Sequence, residues 1–283
     1  MDSFGPLVDV AWLDAHLGDP DVVVVDCRWK LGEQGAGERL YEQGHIRGAT
    51  FLDVDRDLSA PAGDASAGRH PLPGRREFER AARRAGIAQD TAVVACDESG
   101  EGGAARLWWL LRHFGHRRAA ILDGGVAAWR AAGGALESGR AAAPHGDFRA
   151  RARHDDVASL DEVRERALGG DPALVLVDAR TPERYRGETE PVDPVAGHIP
   201  GAANVPFASL LDDGRFRSPD DVQEQLTAAG VRPGADVVAY CGSGVSATVL
   251  IVAANAAGID GVRLYAGSWS EWCRQGLPPA RDP

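Results

Sequence analysis

Short runs of consecutive apolar residues alternate with amphipathic stretches along this chain. Val22-Val23-Val24-Val25, Ala92-Val93-Val94-Ala95, Leu174-Val175-Leu176-Val177 and Val237-Val238-Ala239-Tyr240 each read as a strand buried on both faces. Helical patterns lie between them. Ser159–Arg166 opens with a capping serine and an acidic first turn. Pro219–Leu226 opens with proline and two acids. Ala247–Ala254 reads as a helix without interruption. Buried strands separated by helices predict an α/β fold of parallel sheets flanked by helices. In such sheets the reactive groups gather at the carboxyl ends of the strands.

The pattern occurs twice. Val22–Arg28, Gly44-His45-Ile46-Arg47-Gly48-Ala49, Ala92–Asp97, Leu122-Asp123-Gly124-Gly125 and Trp129 appear in the first half. Leu174–Arg180, Gly197-His198-Ile199-Pro200-Gly201-Ala202, Val237–Cys241, Leu264-Tyr265-Ala266-Gly267 and Trp272 follow in the same order in the second. The offset is 152 residues between Asp26 and Asp178 and 143 between Trp129 and Trp272. Two domains are expected, residues 1–138 and 148–283, joined by a linker over 139–147 whose composition is Gly-, Ala- and Pro-rich. A second soft segment, Ser59–Gly68, forms a long loop inside the first copy.

The copies are not chemically equal. Cys241-Gly242-Ser243-Gly244-Val245-Ser246 joins a strand to a helix in the second copy. A cysteine placed there sits over a fan of backbone N–H groups and at a helix N-terminus, and both favour the thiolate as a nucleophile. A small buried cysteine at a strand end is the plainer alternative, and the two glycines weigh against it. The first copy has Asp97 at the matching position. A carboxylate cannot serve as a sulfur nucleophile, so one copy is expected to catalyse and the other to supply scaffold.

Composition narrows the functions further. The 283 residues carry a net charge of −11, with 44% hydrophobic and 26% charged positions, so no basic footprint for nucleic acid exists. No apolar run is long enough to span a bilayer, and the N-terminus lacks the pattern of a signal peptide, which points to the cytoplasm. Cys27, Cys96, Cys241 and Cys273 are widely spaced with no Cys-x-x-Cys pair, so neither a zinc site nor a disulfide framework is expected.

These residues resemble the tandem-domain rhodanese family, the thiosulfate and 3-mercaptopyruvate sulfurtransferases. The marks are Asp26-x-Arg28 and Asp178-x-Arg180, the two Gly-His-Ile-x-Gly-Ala segments, and a loop cysteine in the second copy only. The resemblance implies two rhodanese-like domains. It implies a persulfide on Cys241, a small anionic donor, and a thiol acceptor such as thioredoxin or a low-molecular-weight thiol, or cyanide. No metal or cofactor is implied. The loop is similar to that of the mercaptopyruvate branch, with Ser246 in place of a threonine. Thiosulfate enzymes carry basic residues after the cysteine, whereas Gly242 and Ser243 stand here, so thiosulfate is expected to bind weakly. The branch also implies a Ser243–His70–Asp55 relay reaching from the first domain, loop contacts from Gly242, Gly244, Val245 and Ser246, and a carboxylate anchor at Arg184. A second family arginine normally follows Glu-Pro. Here Glu190-Pro191 leads into Val192-Asp193-Pro194, and Arg186 is the nearest substitute.

The remaining candidates read as structure. Asp26 with Arg28, Asp178 with Arg180, His45 and His198 occur in both copies, which favours a shared scaffold role. Cys27, Cys96 and Cys273 read as small buried side chains. Trp108, Trp109, Trp129, Trp269 and Trp272 read as packing. Three rivals to the mercaptopyruvate reading stand: a thiosulfate enzyme by the same mechanism, a cysteine-loop phosphatase, and an idle binding module. The phosphatase would need an arginine near Ala247 and a longer loop.

Overall fold

The structure, a computed structural model, describes residues 5–61, 63, 67–141, 144–232 and 234–281. Residues 1–4, and parts of the two soft segments (62, 64–66 and 142–143), lie outside the described residues. The chain forms two compact units. The first takes the residues up to Ala60, Pro73–Arg153 and Asp213–Phe216; the second takes Pro61–Leu72, His154–Asp212 and the chain from Arg217. The described residues of the 61–72 segment (61, 63 and 67–72), inside the span expected for the first domain, thus group with the second unit.

The first unit runs β1 (Leu7–Val8), α1 (Val10–His16), β2 (Val22–Asp26), α2 (Ala36–Gln43), β3 (His45–Ile46), β4 (Thr50–Phe51), α3 (Arg75–Arg84), β5 (Ala92–Cys96), α4 (Gly103–His113), β6 (Ala119–Leu122), α5 (Gly125–Ala131) and β7 (Leu136–Glu137). Its sheet has the order β1-β6-β5-β2-β4, with every pair parallel. β3 and β7 form a small antiparallel pair beside it.

The second unit runs α6 (Leu160–Gly169), β8 (Leu174–Asp178), α7 (Pro182–Arg186), β9 (Ala203–Asn204) and β10 (Leu211–Asp212). After β11 (Arg215–Phe216), which belongs to the first unit, it continues with α8 (Pro219–Ala228), β12 (Asp236–Tyr240), α9 (Ala247–Ala256), β13 (Arg263–Leu264) and α10 (Ser268–Arg274). Its sheet has the order β13-β12-β8-β9, again parallel throughout. The fold is therefore α/β, as the run-and-helix pattern predicts.

The helices start where their caps place them. Ser159 Oγ accepts from Glu162 N–H before α6, and Ser218 Oγ accepts from Asp221 N–H before α8, both at 3.2 Å. The matching cores are Leu13, Val24, Val94, Val126 and Trp129 in the first unit and Val163, Leu176, Val238, Trp269 and Trp272 in the second. Trp129 Nε1 donates to Ala135 O and Trp272 Nε1 to Pro278 O, each at 3.0 Å, so the buried indoles carry no unmet polar group.

The shared polar pairs at the strand ends are structural, as expected. Arg28 Nη2 donates to Asp26 Oδ2 at 2.7 Å and to Gly44 O at 2.6 Å. Arg180 Nη2 does the same with Asp178 Oδ2 at 2.6 Å and Gly197 O at 2.7 Å. Each pair ties the end of a central strand to the turn carrying a histidine. His45 and His198 stack on Tyr41 and Tyr185 with ring centroids 4.0 and 3.8 Å apart. Among the described residues no helix is long and apolar enough to cross a membrane.

Candidate active site

β12 ends at Tyr240 and α9 begins at Ala247, so Cys241 lies at the carboxyl end of a central strand and one turn ahead of a buried ten-residue helix. The loop between them is fastened by α10. Trp269 N–H donates to Cys241 O at 3.0 Å, and Ser270 N–H donates to Gly242 O at 2.9 Å. Cys241 N–H donates to Ser268 Oγ at 3.1 Å, and that hydroxyl donates onward to Tyr265 O at 2.9 Å. Ser268 is fully buried at φ +54°, a conformation in which a residue other than glycine is strained.

Of the expected fan, the N–H that meets Cys241 Sγ among the described residues is that of Gly244, at 3.1 Å. Gly244 sits at φ +79°, and a Cβ on it would lie 2.5 Å from Ala266 O. Glycine is required there by both conformation and space. Val245 is buried, and its carbonyl accepts from Thr248 Oγ1 at 2.6 Å in the first turn of α9. Ser246 is the residue before that helix, half-buried and without a side-chain capping bond.

The other three cysteines are also buried. Burial pushes the Cys27 and Cys96 thiols well above their ordinary range, and nearby carboxylates add to it. Burial raises Cys273 too, with Asp193 contributing. Neutral thiols are poor nucleophiles.

The first copy fills its own loop. Asp97 accepts from the N–H groups of Gly100 at 2.7 Å, Gly102 at 3.0 Å and Ala104 at 3.2 Å. Val126 N–H donates to Asp97 O and Ala127 N–H to Glu98 O, so α5 fastens this loop as α10 fastens the other. At the position of Ser268 stands Gly125, at φ +61°.

His70 Nδ1 lies 2.7 Å from Ser243 Oγ, and both residues are buried. The pair belongs to one compact unit, because His70 arrives on the segment Pro61–Leu72. Asp55 belongs to the first unit, where it accepts from Trp29 Nε1 at 2.9 Å.

Two guanidinium groups face the loop. A Cβ on Gly242 would lie 2.8 Å from Arg69 Nη2 and 3.5 Å from Arg184 Nη1. Arg184 reaches Glu190 Oε1 at 2.7 Å and Oε2 at 3.0 Å, and Asp193 Oδ2 at 3.4 Å. Arg69 Nη1 is bonded to the other Asp193 oxygen, and its N–H donates to Ser270 Oγ at 3.1 Å. Burial works to raise the Glu190 carboxyl, but the Arg184 hydrogen bond and two backbone N–H groups leave it below its ordinary value. Arg186 is engaged elsewhere, with Glu188 at 2.7 and 3.1 Å.

The loop itself carries no cation, and the two guanidinium groups that face it are each paired with a carboxylate. Sequence reasoning did not single out Arg69 or Asp193. The available signals were the adjacency of Arg69 to His70 and an acid in the segment where the family carries an arginine.

A rhodanese-like domain matches residues 9–132 and again residues 159–275. The chain belongs to the rhodanese family. Among its relatives, a probable 3-mercaptopyruvate sulfurtransferase of Pseudomonas aeruginosa is 45% identical over 273 residues, covering 95% of each chain. A putative thiosulfate sulfurtransferase, SseB, of Mycobacterium tuberculosis is 44% identical over 257 residues, covering 90% of this chain and 88% of its own. The crystal structure of SseA from Escherichia coli, described as a 3-mercaptopyruvate sulfotransferase, superposes with a TM-score of 0.83 at 32% identity, covering 94% of this chain and 100% of SseA. Two rhodanese relatives at nearly equal identity thus carry different donor names.

Proposed function

We propose that this sulfurtransferase takes sulfur from 3-mercaptopyruvate in preference to thiosulfate and carries it as a persulfide on Cys241. Cys241 thiolate attacks the donor sulfur and the carbon–sulfur bond breaks. The bond's electron pair stays on the methylene carbon, which takes up the proton that left the thiol. The products are pyruvate and the Cys241 persulfide anion, with atoms and charge conserved. An acceptor thiolate, such as that of thioredoxin or a small thiol, or cyanide, then removes the outer sulfur in what we read as a cytoplasmic reaction. The Gly244 N–H and the N-terminus of α9 supply the positive potential that favours the anion before and after transfer. Arg184 anchors the donor carboxylate by its guanidinium fork.

The observation that carries the donor preference is the 2.7 Å contact between His70 Nδ1 and Ser243 Oγ, two residues after the nucleophile. Mercaptopyruvate must move a proton from sulfur to carbon, and a hydroxyl–imidazole pair can pass it. Asp55 enters this reading on the family resemblance alone. Thiosulfate releases sulfite without any proton transfer, so the pair has no work to do for it. Parallel steady-state kinetics with both donors test the reading. Ser243→Ala and His70→Ala should each lower mercaptopyruvate turnover by about 10²–10⁴-fold and thiosulfate turnover far less. The double variant should be no worse than the poorer single one, because the groups act together. Equal losses with both donors would overturn the relay, and a clear wild-type preference for thiosulfate would overturn the donor.

A further inference from the structure

Arg69 and Arg184 stand against Gly242, yet both are balanced at close range. Asp193 is fully buried and bonded to both guanidinium groups, and Glu190 takes a bidentate pair from Arg184. Glu190 also meets Arg180 Nη1 at 3.3 Å, and Arg180 is itself paired with Asp178, so three guanidinium groups and three carboxylates make a formal charge of zero beside the loop. The cluster still has capacity for an anion. Arg69 Nε is buried without a hydrogen-bond partner among the described residues, and Arg69 Nη2 points at the space a side chain on Gly242 would fill.

We propose that Asp193 selects the donor by its charge. Its carboxylate, held between Arg69 and Arg184, leaves enough directed N–H donation to seat one carboxylate and too little positive charge to offset a dianion. At pH 7 mercaptopyruvate presents one negative charge and thiosulfate two. The repulsion from Asp193 acts on both donors, but twice as strongly on the second at equal distance. Gly242 belongs to the same device, because any side chain there would displace Arg69. The proposal rests on donor binding beside Cys241, as read above, and not on which donor the wild type prefers.

The test is the ratio of kcat/KM for thiosulfate to that for mercaptopyruvate, measured at pH 7 over a range of ionic strength. Asp193→Asn should raise this ratio by about tenfold or more, since Coulomb pairs at such distances are worth more than one decade before screening. Arg69→Gln should lower it, and Arg69→Lys, which keeps the charge, should leave it near the wild-type value. The gain in Asp193→Asn should shrink as salt rises, a response that a merely structural role would not produce. Should Asp193→Asn fail to fold, the Arg69 pair decides alone. An unchanged ratio in Arg69→Gln, or in a folded Asp193→Asn, overturns the proposal. The wild-type ratio itself bears only on the donor reading, so the two can fail separately.

Discussion

Gly244→Ala should abolish most sulfur transfer in a chain that still folds. Gly244 and Gly258 share nearly the same left-handed backbone, at φ +79° and +78°. Placing an L side chain in that region costs about 1–2 kcal/mol. At Gly258, with nothing within 4 Å of a Cβ, that strain is the whole effect. Gly258→Ala should therefore lower Tm by roughly 2–8 °C, at about 2–4 °C per kcal/mol for a chain of this class, with kcat unchanged. At Gly244 the Cβ would also meet Ala266 O at 2.5 Å, a backbone atom with no freedom to swing aside. Either Ala266 or the loop must move. Moving the loop takes the Gly244 N–H off Cys241 Sγ, from its present 3.1 Å. Loss of one backbone donor to a developing anion typically costs about 10²–10³-fold in kcat. Single-turnover persulfide formation, followed as the gain of one sulfur atom by intact-protein mass, measures the chemical step. Calorimetry on the same samples measures the strain. If Gly244→Ala turns over within a few-fold of wild type, or loses no more Tm than Gly258→Ala, the reasoning is refuted.

Three further outcomes follow from the same geometry. Cys241→Ser should leave no persulfide detectable by mass, whereas Cys96→Ser, a change at a thiol that burial holds neutral, should keep turnover in any folded sample; equal loss from both would contradict a single nucleophile. Ser268→Gly should relieve the strain at φ +54° while deleting the acceptor of Cys241 N–H, so Ser268→Ala, which loses the acceptor and keeps the strain, should be the less stable by about 1 kcal/mol; the reverse order in denaturant titrations would refute this. Glu101 is an exposed residue whose carboxyl is partly shielded from water, and this desolvation, followed by the charges of Asp97 and Glu98, raises it from 4.5 to about 7. The folded chain therefore holds a proton that the unfolded chain has released, stability falls as pH climbs from about 4.5 to 7, and Glu101→Gln should flatten that part of a Tm–pH profile.

Much of this was legible in residue order. Continuous Val and Ala runs with no polar alternation announced strands buried on both faces, and the strand pairs β2–β5 and β8–β12 are parallel along their length. Repetition separated scaffold from chemistry: Arg28 and Arg180, His45 and His198 make the same bonds in each unit, while Cys241 has only Asp97 opposite it. The unread part lay where local pattern carries no information. The Pro- and Gly-rich stretch before α3 has no periodicity, so nothing in it tells which unit it packs upon. Arg186 was the nearest arginine in sequence to the missing family position. A five-residue helix turns it toward Glu188, and the guanidinium nearest Gly242, that of Arg69, lies 173 positions before that glycine. Charge identity was visible in the sequence; spatial adjacency was not.

Residues 61–72 are synthesised long before most of the unit they join. His70 precedes Ser243 by 173 positions, and Arg69 precedes Ser270 by 201. At about 5–20 residues per second on a ribosome, roughly 10–35 s separate the appearance of the histidine from that of the hydroxyl it contacts. The strands of the first sheet have all emerged by Leu122, so that sheet can form while this segment waits for its partners. The contact between His70 and Ser243 is therefore a late event in the life of each nascent molecule. The same arrangement binds the two repeats genetically. A gene fragment beginning at His154 would encode the nucleophile and its N–H donors, yet neither Arg69 nor His70. Recombination that shuffled the second repeat alone would separate Cys241 from Arg69 and His70.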